Sequence, residues 1–61
     1  MINTEKLKEI YKERRNGSAE IAELVRLITE EGYKPDVEEM YKVKDGLNMT
    51  KSEASSVFFA E

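Results

Sequence analysis

SAEIAELVRLITEEG, residues 18–32, is the stretch on which the fold turns. Ile21, Leu24, Val25 and Ile28 recur at the spacing that lines up one side of a helix with 3.6 residues per turn. Ser18 stands where a hydroxyl can accept from the first unpaired backbone N–H groups, and Glu20 falls in the first turn, at the positive end of the helix dipole. Gly32 follows Glu31 as a stop, because glycine adopts the left-handed conformation that ends helices. A helix is predicted from just after Ser18 to Glu31, with one face to bury.

Three further segments repeat the pattern on either side: Leu7, Ile10 and Tyr11; Val37, Met40 and Tyr41; Ala54, Val57 and Phe58. The first is predicted as a helix from Thr4 to Arg15, opened by Asn3 or Thr4 and closed by Asn16 and Gly17. Pro35 biases Lys34 to an extended conformation, and Asp36 then caps a third helix, with Glu39 placed to reach back and Gly46 to end it. Leu47, Asn48 and Met49 form a short turn. Thr50, Lys51, Ser52 and Glu53 make the strongest start signal of the chain, a capping box in which Thr50 and Glu53 each satisfy the other's backbone N–H. Four apolar faces ask for one shared core. The expected fold is therefore all-α, a compact bundle of four short helices arranged as two helical hairpins in a single domain.

The two halves are alike. Glu9, Ile10, Tyr11 and Lys12 match Glu39, Met40, Tyr41 and Lys42, and the Ser18 to Val25 run matches Ser52 to Phe58. Arg14 and Lys44 occupy corresponding places at the edge of the buried stripe, where a long side chain is expected to snorkel with its charge in water, a buried ion pair or a ligand contact being the alternative.

A chain of 61 residues buries only about 60% of its unfolded surface, which limits the core to one domain and leaves stability modest. With no Cys and no His, neither a disulfide nor a Cys/His metal site can reinforce it, so packing or a partner must. Self-association is one such route. No apolar run of membrane-spanning length and no signal-like start is present, so a soluble, cytoplasmic protein without a membrane role is expected.

Net charge is −3 but unevenly spread. Residues 1–17 carry five basic and three acidic side chains, whereas residues 18–39 carry seven acids against Arg26 and Lys34. A basic first helix is expected to lie against the acidic second one. Should Glu20, Glu23, Glu30, Glu31, Asp36, Glu38 and Glu39 share one surface, they could mimic nucleic-acid charge.

Catalysis finds little support. There is no His for proton transfer near neutral pH and no Cys nucleophile; Ser18, Ser52, Ser55 and Ser56 have no activating base at a telling spacing. Neighbouring acids such as Glu30 and Glu31 diverge by about 100° on a helix. Neither a calcium loop nor a phosphate-cradling glycine loop appears, so no cofactor, metal or small-molecule substrate is expected.

The segment TKSEASSVF, residues 50–58, resembles the last helix of a small helical module of phage and other mobile-element proteins, which opens with Thr-Lys-x-Glu-Ala-Ser and continues with apolar residues. The likeness extends over roughly the last forty residues, with Thr50 and Glu53 as the cap, Ala54 as the small packing position, and Val57 and Phe58 as the apolar anchor. Phe58, Phe59 and Ala60 depart from the charged helix end commoner there. The resemblance implies a mobile-element origin and an accessory role.

Phe59 points at least about 100° away from Val57 and Phe58, toward solvent. With Leu27 and Val43, which sit at the sides of their stripes, it is expected to form an apolar surface for a protein partner or a second copy. The function expected on these grounds is a small acidic helical regulator or inhibitor that binds a protein. The alternative is an accessory nucleic-acid binder that contacts phosphates through Lys42, Lys44 and Lys51, against which stands an isoelectric point near 5.0.

Overall fold

A computed structural model describes residues 2–14 and 18–59. Four helices follow in order, α1 (Thr4–Arg14), α2 (Ala19–Glu30), α3 (Val37–Gly46) and α4 (Lys51–Phe58), and no strand occurs among the described residues. The all-α, four-helix fold expected from the pattern is the one observed. The stop expected at Asn16 and Gly17 lies outside the described residues.

Each helix starts where the sequence says it should. The Lys6 N–H donates to Asn3 Oδ1 at 3.1 Å, and the Ile21 N–H to Ser18 Oγ at 3.3 Å. Both expected capping boxes close: Asp36 with Glu39 on α3, and Thr50 with Glu53 on α4. At the end of α2, Gly32 takes φ +72°, and the N–H groups of Glu31 and Tyr33 both reach the Leu27 carbonyl.

The end of α3 departs from expectation. Gly46 remains inside the helix, and the left-handed residue is Asn48, at φ 52°. The Met49 N–H donates to the Lys44 carbonyl at 2.8 Å and the Asn48 N–H to the Asp45 carbonyl at 3.2 Å, the paired bonds of a Schellman ending. This ending turns Leu47 and Met49 inward, and both are buried. The role of Gly46 is close approach: a Cβ built there would lie 2.6 Å from Ile21 Cγ1 and 3.0 Å from its Cδ1, so α2 and α3 meet where the glycine lacks a side chain.

The core takes Leu7 and Ile10 from α1, Ile21, Leu24, Val25 and Ile28 from α2, and Ala54, Val57 and Phe58 from α4, as their stripes required. From α3 it takes Val43, with Met40 half-buried beside it. The stripe read from sequence on α3 is thereby corrected, since Val37 and Tyr41 are 62% and 61% exposed. Met40, Val43 and Leu47 form the inward row, at i, i+3 and i+7, because α3 is rotated so that Gly46 can meet Ile21.

The broad helix packings are α1 on α2, α2 on α3 and α1 on α4. Of the two hairpins, α1 and α2 pack closely, whereas α3 and α4 splay on either side of their turn. The start of the chain closes the far end of α4, where the Asn3 N–H donates to the Val57 carbonyl at 2.7 Å. Among the described residues no helix is long and apolar enough to cross a membrane.

Candidate partner-binding groove

The splay of α3 and α4 leaves a groove of about 310 Å³, open to solvent along one side. One wall is the face of α3 carrying Val37, Tyr41 and Lys44, at i, i+4 and i+7; the other is the face of α4 carrying Lys51, Ala54, Ser55 and Phe58, continued by Phe59. Met40 also lines it. Helix geometry gives the groove a direction. Lys44 and Lys51 flank the short turn between the helices, while Val37 and Phe59 stand at their far ends. One end is cationic and the other is apolar.

Phe59 is 64% exposed at the C-terminal cap of α4, as expected, and forms part of the groove wall. Its two expected companions are elsewhere. Val43 is fully buried, because its place between Met40 and Leu47 on the inward row of α3 carries it into the core. Leu27 is half-buried on α2 and does not line the groove. Val37 and Tyr41 take their place. The sequence carried a signal for this, since α3 holds two overlapping apolar rows and only one of them can face inward.

The three lysines are divided as well. Lys42 Nζ lies 3.8 Å from Glu20 Oε1 on α2, whereas Lys44 and Lys51 line the groove and make no ion pair among the described residues. Five of the seven acids have partners within the chain. Glu20 meets Lys42, Glu23 and Glu31 bracket Arg26, and Asp36 and Glu39 close their own cap. Helix α1 lies against α2 as expected, although among the described residues no ion pair joins the two.

Arg14 supplies the main correction to the charge reading. Its guanidinium does not snorkel into water but grips Glu53 with two parallel bonds of 2.7 and 2.6 Å, and also donates to the Asn48 carbonyl at 3.2 Å. The two side chains are 30% and 25% exposed. Glu53 simultaneously accepts from the Thr50 N–H at 3.0 Å, so one carboxylate starts α4 and ties it to α1. Arg14 first, and the Thr50 backbone N–H second, hold the Glu53 carboxyl down at about 2. The Arg14 guanidinium is raised by the same bond. This clasp fixes the cationic end of the groove, because it grips both the turn and the first residues of α4.

Glu39 has a lesser support. It accepts from the Tyr33 hydroxyl at 2.6 Å, which raises the Tyr33 phenol above its usual range. Two other concavities are less distinctive. One lies between Ile2 and the Tyr33 to Pro35 connection, and one between α1 and α2 mixes Lys8 and Arg26 with Glu23 and Glu30. Among the described residues no group of three or more acids could hold a metal ion. No family model, curated protein or solved structure matches the chain.

Proposed function

We propose that this protein is a small helical interaction module that binds a protein partner through the α3–α4 groove and acts as a regulator or inhibitor by occupying that partner's surface. The observation that carries the reading is the convergence of Val37, Tyr41 and Phe59, all more than half exposed, on one groove. Fully burying a large apolar side chain contributes about 1.5–3 kcal/mol, and a domain this short leaves three of them largely in water. A partner that covers them recovers that free energy, and aromatic side chains are favoured anchors of such contacts. The likeness of Thr50–Phe58 to a phage and mobile-element module adds an accessory role to the same reading.

The test is a selection of displayed helical peptides on the immobilised protein, with counter-selection on a Tyr41→Ser/Phe59→Ser variant whose helicity is checked by circular dichroism. Enriched peptides that shift the amide resonances of the groove, and that do not bind the double variant, support the reading. Failure to enrich, or binders indifferent to the double substitution, overturns it. Retention on heparin that Lys44→Gln/Lys51→Gln abolishes would replace it with phosphate contact, and a dimer lost in Phe59→Ser would replace it with self-association.

A further inference from the structure

Given that groove as the binding site, we infer that its occupant is an amphipathic helix of the partner protein that carries carboxylates about two turns from its apolar anchors, with the acidic end lying at the α3–α4 turn. The charged side chains lining the groove are Lys44 and Lys51, both positive, both beside the turn, and both without an ion-pair partner among the described residues. The apolar residues Val37 and Phe59 stand at the opposite end. A chain of net charge −3 thus presents a cationic point within its apolar groove, which favours an anionic edge on whatever enters.

Spacing argues for a helix. Val37, Tyr41 and Lys44 form a row about 10 Å long on α3, at 1.5 Å per residue, with Lys51 and Phe58 in a facing row on α4. Two splayed helices offer the ridges and hollows against which a third can pack, and apolar residues at i and i+3 or i+4 would fill the space beside Tyr41 and Phe59. An acid at i+7 on that helix, laid along α3, reaches Lys44 and Lys51. A volume of about 310 Å³ suits a few inserted side chains, being at the lower limit of pockets that enclose a small molecule.

Three synthetic helical peptides of about 14 residues, long enough to hold some helix in water, test this on the intact chain. They share the Leu anchors at i and i+4 and carry Glu, Gln or Lys at i+7 and i+8; binding is read by fluorescence anisotropy and mapped by amide shifts. The Glu peptide is expected to bind about five-fold tighter than the Gln peptide, the return on two exposed ion pairs, and the Lys peptide weakest. Lys44→Gln/Lys51→Gln should erase that order. Equal binding of all three at the groove overturns the acidic occupant and leaves the binding site standing. Loss of all three, or shifts mapped away from Tyr41 and Phe59, overturns the site itself.

Discussion

Helix α3 begins with Asp36 and Glu39, helix α4 with Thr50 and Glu53, and in both a carboxylate three residues into the helix returns to the backbone N–H of the capping residue, at 3.0 Å in each case. Beyond that shared start they are held by different forces. On α4 the Glu53 carboxylate is gripped by Arg14 from α1, so a local cap becomes a tertiary tie. On α3 the corresponding Glu39 meets only the nearby Tyr33 hydroxyl, and the helix is seated instead at its other end, where Gly46 meets Ile21. Charge fixes the start of α4, and shape fixes the end of α3. The groove lies between two walls anchored in these different ways, and it opens where neither anchor reaches.

The largest effect should come from the shape anchor. Gly46→Ala places a Cβ against three carbon atoms of a buried Ile21, and the overpacking should cost about 2 kcal/mol in urea titration, despite alanine's better helix propensity. In an Ile21→Ala background the same change should turn stabilising by about 1 kcal/mol, because only the propensity gain is left. A penalty that persists in that background would show that Gly46 serves something other than close approach.

Breaking the charge anchor should rank next and show its own pH signature. The Glu53 carboxyl lies at about 2 in the folded chain against an ordinary 4.5, so the stability it contributes is fully present above about 4.5 and declines as pH falls toward 2. Glu53→Gln should lower the melting temperature at pH 7 by more than Thr50→Ala does, and should flatten the decline between pH 4.5 and 2. Glu23, lowered by Arg26, would keep a smaller slope of the same sign. An unchanged acid limb in the Gln variant would remove the Arg14 clasp from the account.

Thr50→Ala should cost about 1 kcal/mol, the usual loss for a helix cap, with the Arg14 to Glu53 bonds still in place. Asp36→Ala should cost about 0.5 kcal/mol, at the lower limit for caps, because its box carries no tie to another helix such as Arg14 gives Glu53. Tyr33→Phe should be smallest, removing one exposed hydroxyl bond from Glu39. Equal losses for Thr50→Ala and Asp36→Ala would show that the Arg14 tie adds nothing to the box it grips.

Local chemistry was legible before any coordinates. Ser18, Asp36 and Thr50 cap through short-range bonds that depend on residues three apart, and the stripes of α1, α2 and α4 each contain a single apolar row. The α3 face was not legible, because Met40 belongs equally to a row with Val37 and Tyr41 and to one with Val43 and Leu47. Among the candidate site residues, Phe59 could be read because it departs from a single row. Val43 was assigned outward for want of the competing row, and the Arg14 partner, 39 residues away, leaves no trace in spacing.

The sequence by itself determined the four helices, their caps and the excess of apolar surface at Phe59, since periodicity and capping are set within a few residues along the chain. Only the tertiary structure decided which row of α3 turns inward, that Arg14 clasps Glu53, and that Tyr41, Phe59, Lys44 and Lys51 share one groove. Those outcomes depend on how α3 rotates until Gly46 admits Ile21, a fit between distant surfaces that no local pattern encodes.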